Sequence, residues 1–287
     1  MGKKKHAERA DVIQVLSLGM GDSPINPDDP SYTWRILAEG DSWFTIGAIP
    51  SSNLLYELRF SAPTVILNLG YPGDTISHVS ELSVNRDLVQ RLTSPQWASD
   101  WDAILLSGGG NDLIDRAAEI LLETPKGAGK RATQYIDEEA LQSLTADVQE
   151  SYRRIVQLRD SDGTANNGKP IVVHTYDYPT PRNAPATFLV VPMTRPWLHP
   201  LFEKRGISPA LRVKITDTLV DALARSIIEL QHELAAFYVV DTRDTLKRAE
   251  YGALGNSGDW LNEIHPNTDG YRKIARKIER KLSSVLK

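Results

Sequence analysis

No cysteine occurs in the 287 residues. Disulfides, thiolate metal ligands and a cysteine nucleophile are therefore excluded, and the composition points to a reducing compartment. No apolar run approaches the roughly 20 residues needed to span a bilayer. Lys3, Lys4 and Lys5 resemble the charged start of a secretion signal, but the stretch from Val12 to Met20 is short, contains Gln14 and follows Glu8 and Asp11, so no signal peptide is expected. Position six is His6 rather than the serine or threonine that follows a myristoylated glycine. The expected location is the cytoplasm, without stable membrane insertion. An excess of one charge sign is also missing. A net charge of -4 gives no general pull toward nucleic acid, which is not expected as a partner.

With 41% hydrophobic and 24% charged residues, the composition is that of a soluble globular protein with a sizeable core. Residues 1–33 read as a charged tail and a polar lead-in. Gly21-Asp22-Ser23 falls there, followed by Pro24, Pro27 and Pro30, a setting for turns rather than a helix. No internal repeat or clean linker divides residues 34–287, which are expected to form one domain.

Within it, five apolar runs alternate with helical patterns. Strands are expected at 34–38, 64–69, 102–106, 170–176 and 236–240. Most are continuously apolar rather than alternating, as strands are when helices cover both faces of a sheet. Between them, helices are expected over 76–92, 113–122, 137–158 and 208–234, and a basic helix from about Asp269 closes the chain. Ser208-Pro209 is a capping serine followed by proline at the first helical position. The pattern predicts an α/β fold with a parallel sheet of five strands. The segment from about 179 to 207 is irregular and rich in proline, with Phe188, Met193, Trp197, Leu198 and Phe202 between the prolines. It reads either as a lid or as a packed excursion over the core.

Polar groups gather where the strands end, which is where ligands bind in open α/β sheets. The first strand runs into Gly40-Asp41-Ser42, the second into a loop holding Gly73, and the third into Gly108-Gly109-Gly110-Asn111-Asp112. His265 lies just before the last helix. A serine hydroxyl needs a base to take its proton and donors to hold the oxyanion formed on a carbonyl, and these residues supply both kinds of group. The glycine run lacks the lysine and serine or threonine of a P-loop, so it reads as a turn. His174 at the end of the fourth strand reads as a structural histidine beside a pocket. His6, His78, His199 and His232 show no metal-ligand spacing, and no metal is expected.

The order Gly40-Asp41-Ser42, Gly73, Gly109-Gly110-Asn111-Asp112 and His265-Pro266 resembles the SGNH (GDSL) hydrolase superfamily over about residues 34 to 286. The resemblance implies a flavodoxin-like three-layer α/β/α sandwich. It also implies Ser42 as nucleophile, His265 as general base, and an oxyanion hole made by the Ser42 N–H, the Gly73 N–H and the Asn111 side chain. Such an enzyme cleaves carboxylic esters of small molecules through an acyl-enzyme and needs no cofactor. A single ionisation of kcat/KM near pH 6 to 7 is the ordinary expectation for its histidine. The sequence departs from the family where an aspartate usually precedes the histidine by three residues; Asn262 stands there. Asn262 is favoured by position to orient His265. Asp259, Glu263, a backbone carbonyl or an unassisted Ser–His dyad remain as alternatives. That departure also leaves open a binding or scaffold protein on the same fold. Among enzymes, a carbohydrate deacetylase, thioesterase or acyltransferase fits the same residues.

Overall fold

The runs Thr64–Asn68 and Ala103–Ser107 are buried at every position, because each strand has neighbours in the sheet and helices against both faces. A computed structural model describes residues 7–15, 26–45, 52–188, 191–192 and 194–286, apart from the side chains of 187–188 and 191–192. The lysine triplet, His6, Gly21-Asp22-Ser23 and Met193 lie outside the described residues.

The main sheet has six strands: β1 (Asp11–Gln14), β2 (Trp34–Gly40), β3 (Thr64–Asn68), β4 (Ala103–Ser107), β5 (Ile171–His174) and β6 (Phe237–Val240). Their order is β6-β5-β4-β2-β3-β1, and every pairing is parallel. The expectation of five strands is therefore corrected to six. The added strand, β1, belongs to the stretch read as tail and lead-in and pairs with β3 in the register Ile13 to Leu67. It sits on the sheet edge and fully buries only Ile13, so its four residues carry none of the continuous apolar signal of the central strands.

Helices flank the sheet in two groups. On one side α3 (Ile76–Val79), α4 (Arg86–Thr93) and α9 (Pro209–Leu230) pack against α7 (Glu138–Arg159). In the other group α10 (Thr268–Val285) packs on α2 (Leu54–Glu57) and against β5 and β6. The caps are local chemistry. Asp137 accepts from the N–H groups of Glu139 and Ala140 to start α7, and Asn267 accepts from Gly270 to start α10. The basic residues of α10 leave Tyr271, Ile274, Ala275, Ile278 and Leu282 as its buried stripe.

The chain runs from β2 out to β3 and then crosses back to β4 on the other side of β2. That reversal leaves a crevice at the carboxyl ends of β2 and β4. The two strand ends approach closely there: Gly40 stands opposite Ser107, and a Cβ on Gly40 would lie 2.3 Å from the Ser107 carbonyl oxygen. Gly40→Ala should therefore cost about 2–4 kcal/mol, since the obstacle is backbone and has no rotamer to escape into. Urea unfolding measures it, and a loss below about 0.5 kcal/mol would refute the close-approach argument.

Candidate active site

Two short helices start at this crevice. Ser42 is the first residue of α1 (Ser42–Thr45), directly after β2, and Asn111 lies in the first turn of α5 (Gly110–Asp115), between β4 and the short α6 (Ala117–Ile120). The turn between β2 and α1 is tied down by Asp41. Its buried carboxylate accepts from Trp43 N at 3.0 Å, from Ser107 Oγ at 2.8 Å and from the Tyr176 hydroxyl, while its own N–H donates to Ser107 O at 3.2 Å. Burial pushes the Asp41 carboxyl up to about 6, against the lowering pull of those three donors. Three strand ends thus hold one turn: Asp41 follows β2, Ser107 ends β4, and Tyr176 follows β5.

The histidine arrives from far along the chain. His265 Nε2 lies 2.8 Å from Ser42 Oγ, and His265 Nδ1 lies 3.0 Å from Asn262 Oδ1. The same Oδ1 accepts from the N–H groups of Ile264 at 3.1 Å and His265 at 2.8 Å, which fixes the amide with its oxygen toward the ring. An oxygen there can only accept. The proton consequently resides on Nδ1, leaving the Nε2 lone pair for the serine hydroxyl. Ser42, Asn262 and His265 are all buried, and burial pushes the imidazole down to about 4. Trp43 Nε1 donates to Ile264 O at 3.2 Å and so joins the serine turn to the histidine loop.

Of the other residues proposed to orient the histidine, Asp259 accepts from Lys247 N and from Lys273 Nζ. Glu263 turns away to the irregular segment, where it accepts from the N–H groups of Trp197, Leu198 and His199, the latter two at 3.1 and 2.8 Å. Arg182, fully buried, donates to Asn262 O at 2.7 Å and to Ala253 O at 2.8 Å. The 179–207 segment is thereby clamped to the histidine loop from both sides. It contains the antiparallel pair Thr187–Phe188 and Val191–Pro192 and the helix α8 (His199–Lys204), and the Trp197 ring meets the His265 ring edge-on at 5.3 Å.

The remaining sequence candidates fall in different places. Asn111 lines a cavity beside Ser42, and its Nδ2 donates to Asp74 O at 2.7 Å, leaving one amide hydrogen unspent by that bond. Gly73 is exposed at φ +86° in the turn before Asp74 and is not among the residues lining that cavity. Asp112 caps the start of α3, accepting from Ile76 N at 2.8 Å and Ser77 Oγ at 2.6 Å. His174 lies buried with Nδ1 2.8 Å from Thr175 O, and its ring stacks on Trp43 at 5.4 Å. Burial pushes it down to about 4. No group of three or more His, Asp or Glu able to hold a metal ion occurs among the described residues. Sequence reasoning missed Arg182, Tyr176 and Ser107, whose partners lie 66 to 135 positions away. No local pattern marks them.

The sequence matches the GDSL-like Lipase/Acylhydrolase family over residues 31–273. No curated protein matches it. Among solved structures it is similar to an extracellular lipase from Streptomyces rimosus, at 15% identity over 87% of this chain and 98% of that one, with a TM-score of 0.45. A Clostridium thermocellum family 3 carbohydrate esterase is similar at 13% identity over 88% and 98%, TM-score 0.46. An inhibitor-bound M. smegmatis aryl esterase is similar at 14% identity over 88% and 99%, TM-score 0.47.

The Glu263 clamp has two measurable consequences. Glu263→Ala leaves three N–H groups without their acceptor and should cost about 2–4 kcal/mol locally, read as faster amide exchange at residues 197–199. Burial pushes the Glu263 carboxyl up to about 7 in the folded protein. Its protonation therefore adds stability that is complete below the unfolded value of about 4.3 and is lost as pH rises through about 7. Glu263→Gln should remove that component of the pH dependence of unfolding free energy between pH 4 and 8; an unchanged difference curve would contradict the assignment.

Proposed function

Because this chain belongs to the GDSL-like lipase/acylhydrolase family, we infer that it hydrolyses carboxylic esters through an acyl-enzyme formed on Ser42. The observation that carries the reading is the relay of two contacts, Ser42 Oγ to His265 Nε2 at 2.8 Å and His265 Nδ1 to Asn262 Oδ1 at 3.0 Å. Ser42 Oγ attacks the ester carbonyl while Nε2 takes its proton. The oxyanion forms beside the Ser42 N–H and the free hydrogen of the Asn111 amide; the Gly73 N–H joins them if the 70–74 turn moves toward the bound ester. Nε2 then gives its proton to the departing alcohol, and a water activated by the same nitrogen releases the acid.

An asparagine beside the histidine defeats such a relay when its amide N–H faces the ring, because it then selects the wrong tautomer. Here the backbone donors at Ile264 and His265 keep the oxygen toward Nδ1. What Asn262 does not supply is a negative charge for the imidazolium. The binding-protein alternative drew on that missing charge, but a serine and an imidazole pre-aligned within hydrogen-bond distance favour catalysis over a retained shell.

The experiment is hydrolysis of short p-nitrophenyl esters together with labelling of Ser42 by a fluorophosphonate. Ser42→Ala should abolish labelling and lower turnover by at least about a thousandfold. Turnover retained in that variant would sink the mechanism. The base must be neutral to act, so with His265 held down to about 4, kcat/KM should rise with pH through that value and stay level from about pH 6 to 8. This replaces the limb near pH 6 to 7 expected from an ordinary histidine. Asn262→Asp places a carboxylate against Nδ1–H and should move the limb upward by about one to two pH units; an unmoved limb would separate Asn262 from the ionising group.

A further inference from the structure

The cavity at Ser42 is about 590 Å³ including its open mouth, and Ser42 and Asn111 themselves line it. Its walls are mainly aliphatic: Leu113 and Ile114 come from α5, Leu219, Val220 and Leu223 from α9, and Leu198 from the 179–207 segment. Two acids share the lining, but both carboxylates are engaged within the protein. Asp41 holds the serine turn, and Asp177 accepts from the N–H groups of Tyr178 at 2.7 Å, Asp244 at 3.0 Å, Thr245 at 2.8 Å and Leu246 at 2.7 Å. No lysine, arginine or histidine lines the cavity among the described residues. Beyond the reacting groups, a substrate arm that enters it meets hydrocarbon.

The position of His265 decides which arm of an ester that is. The tetrahedral carbon carries Ser42 Oγ, the oxyanion beside the Ser42 N–H and Asn111, the leaving oxygen and the acyl chain. The leaving oxygen must lie within reach of His265 Nε2, which protonates it. His265 is not among the residues lining the cavity, and its ring meets Trp197 at 5.3 Å. The alcohol therefore departs on the His265 and Trp197 side, and the acyl chain is the substituent left for the cavity that Ser42 and Asn111 border. We propose that this cavity is the acyl site, that the substrate is an ester of a medium-chain aliphatic acid, and that Leu219 and Leu223 of α9 set the chain it accepts. The proposal rests on the ester-hydrolase reading. A cavity of this size, part of it mouth, suits an acyl chain of about four to eight carbons. An acetyl group leaves most of it unfilled, whereas each added methylene that is buried should raise kcat/KM about three- to fourfold until the cavity is full.

The test compares two isomers, ethyl hexanoate and hexyl acetate, by titrating the acid released. They hold the same atoms and differ in which arm is long, so general hydrophobicity cannot separate them. Ethyl hexanoate should be hydrolysed with a kcat/KM at least about tenfold above that of hexyl acetate. Leu223→Trp, which puts an indole into the cavity, should lower that ratio about tenfold. Leu219→Ala, which enlarges the cavity, should instead move the best p-nitrophenyl ester to an acyl chain about one or two carbons longer. Melting temperatures check that each variant is folded, and either one alone tests the wall. Equal rates for the two isomers, a preference for hexyl acetate, or a preference untouched in a folded variant overturns the proposal. Fluorophosphonate labelling of Ser42 on the same wild-type preparation separates the two readings. Labelling and hydrolysis without the isomer preference defeat the acyl-site assignment alone; no labelling and no hydrolysis of any ester defeat the hydrolase reading and the assignment with it.

Discussion

The site depends on the close approach of β2 and β4 at Gly40 and Ser107. With no side chain at Gly40, the two strand ends come near enough for Asp41 to exchange bonds with Ser107, and the Asp41 carboxylate then gathers Tyr176 from just beyond β5. Desolvating that carboxylate is expensive, and three donors offset part of the cost. The result is a rigid turn with Ser42 at the head of α1. Asp41, which reads in sequence as part of the Gly40-Asp41-Ser42 motif, works here as the knot beneath Ser42.

The histidine side is built from different materials. Asn262 folds the loop onto itself through three contacts of one oxygen, and that oxygen also chooses the tautomer of His265. Arg182 and Glu263 fasten this loop to the 179–207 segment. The segment therefore acts as a buttress as well as a cover, and Trp197 closes over the imidazole. Such enclosure explains the depressed His265: a ring removed from water and facing a neutral amide has little to stabilise its charged form.

Much of this was legible in the residues. The central strands announced themselves as unbroken apolar runs, and the polar groups at their ends marked the crevice because parallel sheets put ligands there. β1 stayed hidden because an edge strand of four residues that fully buries only Ile13 has no periodic signature. In sequence the 179–207 segment shows its prolines and aromatics but not its anchor, since Glu263 reads as a candidate partner for the neighbouring histidine while its acceptor role depends on N–H groups some 65 residues away.

By itself, the sequence determined the parallel α/β architecture, the family, and the identity of the serine, asparagines and histidine that could meet. Those follow from local periodicity and from residue types at strand ends, which are properties of short stretches. The tertiary structure alone decided which oxygen faces Nδ1 of His265, that Glu263 caps a distant loop, and that Asn111 lines the cavity beside Ser42 while spending one amide hydrogen on Asp74 O. Each of these is set by the direction of a side chain in three dimensions, and the contacts that set it join residues whose separation along the chain carries no pattern.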